Sequence, residues 1–331
     1  MATRRRNVLA VMVLVGSGSL GACSGDSEPE AGEVFPADEL AIPARAFDVL
    51  VPTGTVQVRV RTAAQTVPGG DTADGTALDA VEGLRYLGLG WTLTSSGAPP
   101  DAAGLLSGVP ERPALALVDG DERIDLGPAG GAGGVFVAVP EDLPERGHLE
   151  VGFDGVLQRV PLDGYRVDPG DAAALYDAPP APRAELDCTG PVTGPGVVAR
   201  QTCGALVVEL PWTPEAGWAP AGGTWAAVRL ETRLDTVEVG RGTGAASYTV
   251  TGAEAAATLG GAAPVATLTR PTTGPGDTAA WLVFPMPDEP AELVVEATYA
   301  ADRTSGGEGQ PAARDFTTTS TVEVRPSATG R

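Results

Sequence analysis

Val56-Gln57-Val58-Arg59-Val60-Arg61 sets an apolar side chain at every second position and a polar one between them. A period of two predicts a strand with one face in a core and the other in water. Leu87-Gly88-Leu89-Gly90-Trp91-Thr92-Leu93-Thr94 repeats the pattern. Leu115 and Leu117, then Asp119-Gly120-Asp121, then Ile124 and Leu126 read as a hairpin around a tight turn. Val135, Val137 and Val139 run into Pro140, and Leu149, Val151 and Phe153 follow after a short polar turn. The best helix candidate is the short stretch Asp171 to Tyr176. These readings predict an all-β chain of antiparallel sheets.

The second half repeats this grammar. Val228, Leu230, Thr232 and Leu234 match the strand at Leu87 to Leu93. Trp281-Leu282-Val283-Phe284 runs into Pro287-Asp288-Glu289-Pro290, as Val135 to Val139 runs into Pro140-Glu141-Asp142-Leu143-Pro144. Leu293, Val295 and Ala297 then take the place of Leu149, Val151 and Phe153. Phe316 to Val324 supplies a closing strand, after a glycine-rich insert at Ala301 to Ala313 that is predicted to be mobile. The pattern resembles the immunoglobulin-like, telokin-like β-sandwich domains of bacterial surface lipoproteins. In that family an apolar strand often ends in a proline-acidic turn before a final strand. The resemblance implies two such sandwiches in tandem, over 45–167 and 186–326.

The N-terminus states an address. Arg4, Arg5 and Arg6 precede an apolar run from Val8 to Val15, and Leu20-Gly21-Ala22-Cys23 follows. The run is too short to span a bilayer comfortably. The pattern resembles a bacterial lipoprotein signal over 1–22. It implies cleavage before Cys23 and a diacylglyceryl-modified Cys23 as the mature first residue. The expected location is the outer face of the cell membrane, with the membrane itself as partner through that lipid. Residues 23–44 are acidic, small and proline-dotted, so they read as a flexible tether with a reach of roughly 25 Å. Residues 168–185, with Pro179, Pro180 and Pro182, read as a stiff linker between the domains. Residues 327–331 are a tail.

Composition narrows the function. The formal charge of −21 includes +3 from Arg4, Arg5 and Arg6, so the rest of the chain carries −24. Such a chain is repelled by phosphate backbones, which disfavours nucleic acid as a partner. The sequence has no lysine, which removes P-loop, Schiff-base and Ser-Lys chemistry. With Cys23 lipidated, Cys188 and Cys203 remain as an even pair in an oxidising compartment, which favours a disulfide over free thiols or metal ligands.

Several residues are candidates for chemistry. His148 is the single histidine and sits before a strand, with no Gly-x-Ser-x-Gly elbow to serve. Asp119, Asp121, Glu122 and Asp125 offer hard oxygens for calcium, although their spacing departs from an EF-hand and a solvated turn explains them. Glu141-Asp142 and Asp288-Glu289 are carboxylate pairs that a repeated turn also accounts for. Trp212, Trp218 and Trp225 either pack the disulfide region onto the second sandwich or form a binding face. The reading is a non-enzymatic binding module with no cofactor, facing an unidentified surface protein or cell-wall partner. A carboxylate- or calcium-dependent surface hydrolase and a solute-binding component of a transporter are the alternatives.

Overall fold

A computed structural model describes residues 28–37, 44–95, 102–106, 112–164, 166–177, 183–220, 223–240, 244–307 and 309–326. The chain is all-β. Its first half contains β1 (Val34–Pro36), β2 (Arg45–Val51), β3 (Gly54–Ala64), β4 (Leu84–Thr94), β5 (Ala114–Asp119), β6 (Glu122–Pro128), β7 (Ala132–Pro140), β8 (His148–Phe153) and β9 (Val156–Pro161). One antiparallel sheet has the order β1-β7-β4-β3-β2 and the other β9-β8-β5-β6. Alternation explains why they face each other. Val56, Val58 and Val60 of β3, with Leu87, Leu89 and Trp91 of β4, share one apolar cluster with Leu115, Leu117, Leu149 and Val151 of the opposite sheet.

The second half contains β10 (Arg183–Asp187), β11 (Arg200–Leu210), β12 (Trp225–Arg233), β13 (Thr236–Val239), β14 (Ala246–Leu259), β15 (Ala266–Thr269), β16 (Asp277–Pro285), β17 (Ala291–Gly306) and β18 (Ala313–Val324). Its sheets run β10-β11-β12-β16-β15 and β13-β14-β17-β18, the second with the short strand Val197–Val198 on its edge beside β13. The repeated proline-acidic turn holds the same topological place in both halves. It carries the chain from one sheet to the other, between β7 and β8 and again between β16 and β17. In each half the first three long strands form a meander within one sheet, β2-β3-β4 and β10-β11-β12. The immunoglobulin order instead sends the third strand to the opposite sheet.

Cys188 and Cys203 are bonded to each other, beside β10 and within β11. Closing a loop of 15 residues stabilises the fold by about 3 kcal/mol in the chain-entropy account. Deeper in this half, a polar layer divides two apolar clusters. The Tyr299 hydroxyl donates to Gln201 Oε1 at 2.7 Å, and the Thr318 hydroxyl donates to the same oxygen at 2.6 Å. Burial pushes the Tyr299 phenol upward from its ordinary pKa.

Three segment boundaries differ from expectation. The tether predicted over 23–44 is part of the first sheet at Val34–Pro36, where Val34 pairs with Val137 and Pro36 with Val135. The linker predicted over 168–185 is folded at both ends. Gly170–Ala172 is a 3-10 turn, Ala174–Asp177 is a single helical turn, and Arg183 already opens β10. Tyr176 fixes that turn to the first half, because its hydroxyl accepts from Leu50 N at 3.0 Å and donates to Gln158 Oε1 at 2.6 Å. The glycine-rich insert is mostly strand, since β17 continues to Gly306. Arg303 then ties the remaining turn through the carbonyls of Gly307 and Gln310. Residues 1–27, which hold the expected signal and Cys23, lie outside the described residues, as do 178–182 and 327–331.

Among the described residues the halves meet through reciprocal contacts. A short pair, Trp212–Thr213 with Gly217–Trp218, projects from the end of β11. Its Trp212 is buried in the apolar cluster of the first half, edge-on to Phe153 at 5.2 Å between ring centroids. In return, Ala102 and Leu105, from the segment around α1 (Ala103–Leu106), pack on Leu206, Val208, Leu210, Ala227 and Trp281 of the second half.

Candidate functional site

The outer face of the β10-β11-β12-β16 sheet changes character along its strands. Near the first half it is apolar and covered by Ala102 and Leu105. Towards the other end it opens into a polar groove of about 860 Å³. Register builds the groove row by row. Asp187, Gly204, Glu231 and Ala279 lie opposite one another on successive strands. Glu185, Leu206, Arg229 and Trp281 form the next row, and Thr202, Arg233 and Asp277 the row beyond. Gly204 has no side chain, and a Cβ there would meet nothing within 4 Å. A gap two strand spacings wide, roughly 10 Å, therefore opens over β11 between the side chains of β10 and β12, bounded along the strand by Thr202 and Leu206.

The two walls differ electrostatically. On β12 both guanidiniums are paired with carboxylates, and Arg270, just after β15, shares Glu231 with Arg229. Glu231 Oε1 takes Arg270 at 2.9 Å and Arg229 at 3.5 Å, and Asp235 takes Arg233 at 3.0 Å. The bond to Asp235 pushes the Arg233 pKa up. Asp277 accepts from the Thr273 hydroxyl at 2.8 Å and Gly274 N at 2.9 Å, and these bonds, the Thr273 one foremost, lower its pKa. On β10 the exposed Glu185 has no ion pair among the described residues. Asp187 accepts from Thr189 N at 2.9 Å, and its pKa is lowered chiefly by the Thr189 hydroxyl. Arg200 lies close enough to act on the Asp187 carboxylate as well, so the groove carries Glu185 without an ion pair on one wall and matched ion pairs on the other. Its hydroxyls, carboxylates and guanidiniums suit it to holding a polar ligand.

A second polar cluster lies on the outer face of the β9-β8-β5-β6 sheet. Glu150 is almost fully buried, contacts Arg123, and has Arg159 at 3.5 Å. His148 Nε2 stands 3.6 Å from Glu150 Oε1. Two guanidiniums already match that carboxylate, so it does little to favour the imidazolium. Burial, and then Arg159, lower the His148 pKa from its ordinary value. A folded pKa below the unfolded one means that the unfolded chain binds the proton first as pH falls. Stability therefore rises with pH in the window just below 6.5 and is lost on acidification through it. Since the chain has one histidine, a single imidazole resonance should titrate in a proton NMR series with its midpoint below 6.5. A midpoint above 6.5 would mean that Glu150 governs the site.

The other sequence-predicted residues are placed as follows. Among the described residues no three histidine, cysteine or acidic side chains converge as a metal site. Asp119 is engaged by Arg146, with Nη2 to Oδ2 at 2.7 Å. Asp125 accepts from Gly127 N at 2.9 Å, while Asp121 and Glu122 are exposed at the hairpin turn. The calcium candidates are thus turn and ion-pair residues. Glu141 pairs with Arg85 and Asp142 with Arg146. Trp212, Trp218 and Trp225 do not form an open face. The Trp212 indole donates to Asp154 Oδ2 at 2.6 Å, Trp218 donates to Phe153 O at 3.0 Å, and Trp225 donates to Gly217 O at 2.9 Å. Trp212 and Trp218 cement the junction between the halves, and Trp225 holds their hairpin from the second half, each indole N–H finding an acceptor as buried indoles usually do.

No protein-family model, curated protein or solved structure matches the chain.

Proposed function

We propose that the protein is a lipid-anchored, extracytoplasmic, non-enzymatic binding module, held at the membrane by Cys23 and built from two immunoglobulin-like sandwiches with an altered strand order. The groove above Gly204 is its binding surface. One observation carries the reading: the groove lies in the second half, beyond the Trp212 junction from the point where the N-terminal chain joins the fold.

The path can be followed strand by strand. Gly32 N donates to Ala138 O, and Ala138 N to Glu33 O, so the N-terminal segment joins at the Pro140 end of β7. β8 leaves that end and reaches the Asp154-Gly155 tip, where Trp212 of the second half is seated. β11 runs towards this junction and β12 away from it, so Thr202, Arg233 and Asp277 are distal. Roughly 17 Å of strand in β8 and roughly 27 Å in β11 lie between the two ends. The chain from Cys23 to Gly32 spans at most about 32 Å, which keeps the first half close to the bilayer.

Energy transfer from single fluorescent residues to acceptor lipids tests this arrangement in reconstituted, lipidated protein. Transfer should be stronger from position 82, on the proximal turn, than from position 195, on the distal one. Equal transfer, or the reverse order, would overturn it.

A further inference from the structure

We propose that the slot above Gly204 takes an extended basic peptide segment of another protein, an inference that rests on the groove being a binding surface. The floor of the slot is a strand, β11, and the gap over it opens because Gly204 lacks a side chain between Asp187 and Glu231. A trough of that shape accepts a chain lying along the strand. It is closed at one end, where Leu206 is buried beneath Leu105, and bounded at the distal end by Thr202.

Charge selects the ligand. Glu185 and Asp187 are two residues apart on β10, so both project onto the outer face about 7 Å apart. Side chains at positions i and i+2 of an extended peptide have the same spacing, which lets two cationic groups meet the two carboxylates. The guanidiniums across the slot add no net repulsion, because Glu231, Asp235 and Asp277 already match them. The whole chain carries −21, which draws a basic partner in at long range. It has no lysine of its own, so an ammonium must come from outside. Among the residues lining the groove there is no aromatic platform on which a sugar ring would stack.

Gly204→Val gives a clean test. Its new Cβ meets nothing within 4 Å, its position is exposed, and valine favours strands. The variant should keep the wild-type circular dichroism and melting midpoint while filling the slot. Titration calorimetry with acetyl-Gly-Lys-Gly-Lys-Gly-amide should show saturable binding that weakens with salt. Binding should fall at least tenfold in Gly204→Val and in the Glu185→Gln, Asp187→Asn double variant. Two results overturn the ligand class: the glutamate analogue of the peptide, or a chitin tetrasaccharide, binds better than the lysine peptide. If Gly204→Val abolishes that other binding, the groove remains the binding surface. If a folded Gly204→Val binds every probe as wild type does, both this inference and the groove reading fail.

Discussion

Trp212→Ala is expected to destabilise the protein by about 3–5 kcal/mol, the usual cost of emptying a buried tryptophan site. The residue is 2% exposed although it belongs to the second half and is surrounded by the first. Its loss removes the edge-on contact with Phe153 and the 2.6 Å bond to Asp154. The receiving surface cannot easily collapse to fill the space. It is the tip of a two-residue hairpin, with Asp154 at φ 47° and Gly155 at φ 78°, a turn that tolerates little change. Trp218, less buried and bonded to Phe153 O, should cost less when truncated. Trp212→Phe keeps an aromatic ring but forfeits the indole donor, so roughly 1–2 kcal/mol is expected there. Denaturant unfolding followed separately in each half is the measurement. Wild type should unfold with coincident transitions, whereas Trp212→Ala should separate them. A Trp212→Ala midpoint equal to wild type would show that the halves are held elsewhere, at Leu105 and Trp281.

The strands were legible because alternation is a local property. Val56 to Arg61 and Leu87 to Thr94 announce their faces without reference to any partner, and those faces are the ones in the core. What the sequence concealed depends on partners far along the chain. Val34-Phe35-Pro36 is too short and polar-flanked to read as a strand, and it becomes one because β7 offers its edge to it. Tyr176 reads as the end of a weak helix inside a proline-rich linker. Its meaning comes from Leu50 and Gln158, which only folding brings to it. The tryptophans signalled a contact surface by residue type, but whether that surface was open or filled depended on Phe153 and Asp154. Gly204 is the clearest case. In the run Thr202-Cys203-Gly204-Ala205 it looks like a weak point in a strand, whereas between Asp187 and Glu231 it is the floor of a slot. Likewise His148 reads as a turn residue because Arg146-Gly147 precedes it, yet it opens β8 beside the buried Glu150.

On the proposal that Cys23 carries the lipid, Cys23→Ala should move the protein from the membrane pellet to the soluble fraction almost completely. The magnitude follows from the acyl chains. Each buried methylene contributes about 0.8 kcal/mol, so two long chains together hold the protein by well over 10 kcal/mol, while one chain gives only marginal binding. Among the described residues no segment offers a substitute of that size. Among the described residues no helix is long and apolar enough to cross a membrane. The net charge of −24 beyond the signal repels anionic headgroups instead of adding a polybasic second anchor. The first sheet also begins within a few residues of Glu30, so the covalent tether is short and any weak surface contact would involve the acidic turns around Glu82, Glu141 and Asp142. Fractionation of cells expressing Cys23→Ala, with carbonate and high-salt washes, reads the effect directly. Retention of the variant in the pellet through both washes would defeat the anchor. Release of wild-type protein by salt alone would defeat it as well, because an acylated chain is held by hydrocarbon burial, which salt does not weaken.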